Sequence, residues 1–163
     1  MTQAEKDKLI KELQDKLAEA EKIEVEQPKR WKPDENMKYW RVNNKGFCTY
    51  GYYTDDSYYD KWNYLTGNCF KTEKETKEYK KQIEYTARYK NYIEEHSEPL
   101  DWRDDRQVKY GAYYDFEDKN ICVDTTKIYK DQGKIFASSE QIIWDAIKEI
   151  GEDNFKKYVL GVE

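Results

Sequence analysis

Two decapeptides, "GNCFKTEKET" at 67–76 and "GKIFASSEQI" at 133–142, place the same residue types in the same order. Gly67 answers Gly133, Phe70 answers Phe136, Thr72 answers Ser138, and Glu75 answers Gln141. A hydroxyl followed three residues later by Glu or Gln is the signature of a capping box, in which each side chain satisfies a backbone N–H that the first helical turn leaves unpaired. Each decapeptide therefore reads as a strand-to-helix corner. Phe70 and Phe136 are the expected last core residues before the helix, and Thr72 and Ser138 its caps.

The flanking residues repeat the order. In the first half "MKYWRV" reads as a strand, "NNKG" as a hairpin turn and "FCTYGYY" as a second strand. The polar, tyrosine-rich "TDDSYYDKWNYLT" reads as a connection, and "GNCF" as a short third strand. The helix capped by Thr72 is expected to run to about Glu95, with Tyr79, Ile83, Thr86 and Ile93 on one stripe and Tyr85, Tyr89 and Tyr92 on the next. In the second half "VKYGAYYDF", the turn "EDKN", "ICVDTTKIY" and "KDQGKIFAS" supply the strands. A helix capped by Ser138 follows, with Ile142, Ile143, Ala146, Ile147 and Ile150 as its apolar face and Gly151 at its end. A last turn, "EDNFKKYVLGV", is expected to bury Phe155, Tyr158, Val159 and Leu160. The fold class this predicts is α+β: two related β-β-β-α halves, 37–96 and 107–150, forming antiparallel sheet packed on helices within a domain spanning 37–163.

The N-terminal segment is a different material. Residues 1–27 hold Ile10, Leu13, Leu17 and Ala20 in a coiled-coil-like spacing, with Thr2 and Glu5 as a capping box. Two heptads make only a marginal helix in isolation. This amphipathic helix is expected either to dock on its own domain or to pair with a second copy as a homodimer. Pro28 and Pro33 break it, and 28–36 reads as a linker. Trp31 stands among Lys29, Arg30 and Lys32, an arrangement that can stack a base; pinning the linker is the favoured role.

Charged residues make up 39% of the chain and mean hydropathy is -1.21, a balance that on its own suits a disordered chain. The 16 Tyr, 5 Trp and 5 Phe reverse that reading, because their rings offer large surfaces to bury. Net charge is -5 and no basic tail is present, which disfavours a duplex nucleic-acid binder. Acid gathers at Asp55, Asp56 and Asp60, and again over Glu94, Glu95, Glu98, Asp101, Asp104 and Asp105. Such clusters are ordinarily solvated loops and helix ends; the sharper reading is a surface matched to a basic groove. Cys48, Cys69 and Cys122 are widely spaced, so three reduced thiols in an intracellular protein are expected, with no metal and no cofactor.

The succession "RWKPDENMKYWRV", "GNCFKTEKE", "GKIFASSEQ" and "IGEDNFKKYVLGVE" resembles a group of small phage and prophage proteins of low-GC Gram-positive bacteria. The signposts are Trp31 and Pro33, Gly67-Asn68 with Phe70 and Thr72, Phe136 with Ser138 and Glu140, and Gly151-Glu152 with Lys157-Tyr158. Similar chains usually carry Ala where this one has Thr76 and Lys77. The resemblance implies an origin on a mobile element and no established enzymatic activity.

No phosphate loop, nucleophile elbow or paired Cys/His motif is present, and the single His96 falls at a helix end. Enzyme is thus the least favoured class. Two binding classes remain. One is a phage-encoded inhibitor of a bacterial host protein, such as a CRISPR nuclease or other defence effector, acting in the host cytoplasm without entering a membrane. Its expected surface is Asp55, Asp56 and Asp60 for steering toward a basic partner, with Tyr52, Tyr53, Tyr58 and Tyr59 for contact. The other is a protein that captures a nucleotide or a single nucleic-acid strand by stacking on tyrosines.

Overall fold

The computed structural model describes residues 30–162 and, before them, Lys6, Ile10, Lys11, Leu13 and Gln14, which are helical and exposed. The rest of the expected N-terminal helix and the start of the linker lie outside the described residues. The chain divides into two compact units, Met1–Lys32 and Pro33–Glu163. The second unit is an α+β body with two small antiparallel sheets and four helices.

The first sheet is a hairpin of β1 (Lys38–Val42) and β2 (Cys48–Tyr52), paired from Lys38↔Tyr52 to Val42↔Cys48. In its turn, the Asn43 carboxamide accepts from the N–H groups of Lys45 and Phe47, each at 3.0 Å. Asn at this position mimics a backbone turn, which is why "NNKG" marks it in the sequence. The expected third strand "GNCF" is reduced to one bridge, Trp40↔Phe70. Beside it the Asn68 side chain takes a strand's place, accepting from Val42 N–H at 2.8 Å and donating to Val42 C=O at 2.7 Å.

The stretch expected to be a connection instead folds as helix α1 (Tyr58–Leu65), with Ser57 as its cap. Its apolar periodicity does not point inward, because the buried positions are Asp60 and Asn63. Helix α2 (Glu73–His96) starts at the capping box read from the sequence: Thr72 N–H donates to Glu75 at 2.9 Å and Glu75 N–H to the Thr72 hydroxyl at 3.2 Å. Thr76 is fully buried, and its hydroxyl bonds back to Thr72 C=O at 3.0 Å. Lys77 points to solvent. The buried face runs through Thr76, Tyr89 and Ile93, whereas Ile83 is 47% exposed and leaves the expected stripe.

The second sheet has the order β4-β3-β5, built from β3 (Lys109–Asp115), β4 (Asn120–Thr126) and β5 (Phe136–Ala137). Helix α3 (Glu140–Ile150) is capped by Ser139, one residue later than expected, through its hydroxyl and Ile142 N–H. Ser138 instead joins the end of α2: its N–H donates to the Ser97 hydroxyl at 2.9 Å and its hydroxyl accepts from Glu98 N–H at 3.0 Å. Gln141 closes no box and donates to Asp145. Gly151, at φ 85°, ends α3. The short α4 (Glu152–Asn154) and a π-helical turn, Phe155–Val159, complete the chain.

The apolar core lies between the second sheet, α3, the C-terminal half of α2 and the last turn. Ile93, Ile121, Ala137, Ile143, Ile147 and Phe155 form its centre. Among the described residues no helix is long and apolar enough to cross a membrane.

Phe136 is buried, edge-on to Trp102 at 5.2 Å and close over Gly111, while Phe70 is half-buried against Tyr79 at 4.9 Å. Phe136→Ala is expected to cost about 3 kcal/mol and Phe70→Ala about half that, measured by urea denaturation. Equal losses would contradict this difference in burial.

Candidate binding surface

Beneath the inner face of the first hairpin lies a polar plug. Tyr39, fully buried, donates to Asp60 Oδ1 at 2.5 Å, and Arg41 donates to the Tyr39 hydroxyl and, at 3.3 Å, to Asp60 Oδ1. Asn63 donates to the Tyr39 hydroxyl at 3.2 Å, and Asn68 to Asn63 Oδ1 at 3.2 Å. Asp60 Oδ2 accepts from Thr54 N–H at 3.2 Å. The Arg41 guanidinium lies between the rings of Tyr59 and Tyr39, 4.7 and 5.3 Å from their centroids. It passes over Gly51, where a Cβ would come within 3.0 Å of Arg41 Nη1. Any larger residue at 51 would push the guanidinium from its place. Burial first, and then donation to Asp60, push the Tyr39 phenol up to about 12.

This plug decides which way α1 faces. Asp60 and Asn63 point into the body, so the opposite stripe points to water. Tyr58 is 80% exposed, Trp62 53% and Leu65 71%, at the i, i+4, i+7 spacing of one helix face. Tyr58 stacks on Trp62, with centroids 6.4 Å apart. The helix is amphipathic with its polar side inward and its apolar side outward. The outer face of the hairpin presents exposed Tyr50 and Tyr52. There Lys38 Nζ stands 4.0 Å from the Tyr50 ring centroid and 4.9 Å from that of Trp40.

The residues expected to form the surface divide. Tyr52, Tyr58 and Tyr59 are exposed, as are Asp55 and Asp56. Asp55 lies beside Glu35, whose carboxylate accepts from Asp55 N–H at 2.7 Å, so an acidic corner gathers at the start of α1. Asp60 and Tyr53 do not belong to the surface. Asp60 is 7% exposed because it is the acceptor of the plug, and Tyr53 is 1% exposed with its ring edge-on to Tyr39 at 6.1 Å. Trp62 and Leu65 were absent from the expected set. The signal that finds them is Ser57 followed by an apolar residue at every helical turn, which makes a helix of the tyrosine-rich connection.

Other polar groups serve the fold. Lys109 is fully buried, its ammonium donating to the carbonyls of Asp104 and Lys127 at 2.8 and 2.9 Å and lying 5.4 Å from the Trp102 ring centroid. It clips two loops to β3. His96 Nδ1 lies 2.8 Å from Tyr92 C=O at the end of α2. Cys69 is buried, and Cys48 and Cys122 are half-buried. Among the described residues no group of His, Cys, Asp and Glu could hold a metal ion.

No protein-family model matches the chain, and neither a curated protein nor a solved structure matches it. The resemblance to phage proteins therefore rests on the residues quoted for it alone.

The three aspartates are expected to behave differently. Asp60→Ala strands a largely buried guanidinium and is expected to cost about 3 kcal/mol. Asp55→Asn with Asp56→Asn is expected to change stability by less than about 0.5 kcal/mol, because exposed charges contribute little. Thermal melts of the two variants read the contrast. The raised Tyr39 phenol also favours the folded state while neutral. Its contribution is full below pH 10 and is lost as pH rises toward about 12, since the unfolded phenol ionises first. Tyr39→Phe is expected to flatten that alkaline loss relative to the parent chain, followed by denaturation at stepped pH.

Proposed function

We propose that this protein is a non-enzymatic binding protein of phage origin that inhibits a bacterial host protein, such as a CRISPR-Cas or other defence effector, in the host cytoplasm. The observation that carries the reading is the inverted helix α1. Water does not favour an exposed Tyr-Trp-Leu stripe, and the polar plug holds it there. Aromatic residues supply most of the anchor positions at protein interfaces. The acidic corner of Glu35, Asp55 and Asp56 beside the stripe suits a partner with an apolar socket rimmed by basic side chains. The resemblance to small phage proteins supports the host as the source of that partner.

The test is affinity capture from lysates of low-GC Gram-positive bacteria with the parent chain and a Tyr58→Ser, Trp62→Ser, Leu65→Ser variant. The variant is expected to keep the parent's melting curve and to lose at least about nine-tenths of the captured protein, the size of effect that truncating interface anchors produces. Asp55→Asn with Asp56→Asn is expected to slow association and weaken its salt dependence. Undiminished capture by the triple variant would overturn the reading.

A second reading has its own support in the triad of Lys38, Trp40 and Tyr50, where a cation lies against two rings. A nucleotide or single strand captured there would stack on the tyrosine and set phosphate on the lysine. Absorbance of the purified protein at 260 and 280 nm distinguishes it, since a bound nucleotide raises the ratio.

We also infer that the two sheets descend from one β-β-β-α unit. In each, the third segment pairs with the first strand, through Trp40↔Phe70 and Tyr110↔Ala137. Each helix cap, Thr72 or Ser139, follows two residues after that pairing. Gly67 and Gly133 both take left-handed φ, 87° and 83°. On this alignment Phe70 corresponds to Ala137, one residue from the match suggested by the decapeptides, and the second corner holds one more residue between its glycine and its pairing than the first.

A further inference from the structure

The first hairpin has one finished edge and one open edge. On β1, Trp40 N–H and C=O bond to Phe70 at 2.9 and 3.0 Å, and Val42 N–H and C=O bond to the Asn68 side chain. These groups point away from β2. Antiparallel alternation makes their register partners, Tyr50 and Cys48, point away from β1 on the other side, and Tyr52 with them. Outside the β1–β2 ladder, no hydrogen bond among the described residues involves the backbone groups of Cys48, Tyr50 or Tyr52. An open edge of this kind is a template for another strand.

We propose that this edge pairs with the same edge of a second copy of the chain, giving a four-stranded antiparallel sheet in the order β1-β2-β2-β1. The hydrogen-bonding pattern is self-complementary. A twofold axis through Tyr50 exchanges N–H and C=O between the two Tyr50 residues and sets Cys48 against Tyr52 of the second copy. Isologous interfaces require this self-matching. The strand "CTYGY" carries no charge, so the axis brings no like charges together.

Charge is complementary beyond the strand ends. Lys45, in the hairpin turn, and Asp55, after β2, lie equally far from Tyr50 along the chain, so the axis sets each beside the other's counterpart. The chain after Tyr52 of the second copy, which leads to Asp55 and Asp56, enters a groove of about 750 Å³ between Phe47–Cys48 and α2. Lys74, Lys77, Lys80 and Lys81 line it. Three of these lysines pair with the groove's glutamates, Lys77 with Glu73, Lys80 with Glu84 and Lys81 with Glu78, and Glu78 also takes Lys157, so lysines outnumber glutamates in the lining by one. The acidic corner of each copy thus meets a groove of slight positive surplus on the other, with Lys74 outside its ion pairs.

The test is sedimentation equilibrium of the full chain over a range of concentrations and salt. A dimer that weakens as salt rises is expected. Tyr50→Pro removes an outward N–H and no bond to β1, and is expected to abolish the dimer with an unchanged circular dichroism spectrum. Should that variant not fold, charge exchange gives a second reading. Lys45→Asp or Asp55→Lys alone is expected to weaken the dimer, and the two together to restore it. A chain that stays monomeric, a dimer that survives Tyr50→Pro (as pairing through the N-terminal helix would), or a double charge variant that fails to recover would each overturn the proposal. A monomer that instead loses a captured host protein on Tyr50→Pro would assign the edge to that partner and overturn it equally.

Discussion

The Asp60 carboxylate, held by Tyr39, Arg41 and Thr54, is the contact on which the first half of the molecule depends. Complete burial of a large apolar side chain stabilises by roughly 1.5–3 kcal/mol, so hydrophobicity alone would turn Tyr58, Trp62 and Leu65 of α1 inward. That rotation would carry Asp60 and Asn63 into water and leave the Arg41 charge buried without its carboxylate and the Tyr39 O–H without its acceptor. A stranded buried charge costs about 3–5 kcal/mol, and an unpaired hydroxyl adds to it. The opposing terms are comparable, and the plug holds the apolar stripe outside. The plug is the structural cause of the surface.

The two sheets are packed with different materials. In the second half, α3 supplies Ile143, Ala146, Ile147 and Ile150 against the sheet, and the interior is aliphatic. In the first half the space under the sheet is filled by Tyr39, Tyr53, Asp60 and Asn63. Even the second half keeps one polar position of the same kind. Lys109 precedes the residue that pairs with the third segment, as Tyr39 does, and both are fully buried with their polar ends bonded. A tyrosine-rich, highly charged chain folds because its buried polar groups find partners and its rings supply the area that aliphatic residues supply elsewhere.

What the sequence disclosed follows from the same physics. Thr72 with Glu75, the turn at Asn43, and the isoleucines of α3 are local signals, and each appears where a neighbour a few residues away is enough to specify it. Helix α1 has a legible cap and stripe in Ser57, Tyr58, Trp62 and Leu65, but its orientation was illegible, because an apolar stripe is read as the inward face and this helix turns Asp60 and Asn63 inward. The burial of Asp60 depends on Tyr39 and Arg41 at a distance along the chain, which no local pattern records. Ser138 and Ser139 are adjacent hydroxyls, either able to cap α3. The choice falls on Ser139 because Ser97 and Glu98, at the end of α2, engage Ser138. Tyr52, Tyr58 and Tyr59 were legible as surface from their polar surroundings, and Tyr53 was not, because alternation along β2 carries it to the Tyr39 side.

The stripe on α1 and the open edge of β2 are distinct features, and they act in concert if both are used. Pairing two hairpins edge to edge uses only the outer edge of β2 and leaves α1 where the plug holds it, so the α1 stripe of each copy remains exposed. Two stripes on one rigid sheet offer a repeated or twofold partner a second contact whose effective concentration is set by the sheet and not by diffusion. A partner with a single socket gains nothing from that arrangement. The dependence of capture on chain concentration therefore carries information about the target's own symmetry: a steep dependence across the range where the dimer forms indicates an oligomeric target, and a flat one a monomeric target.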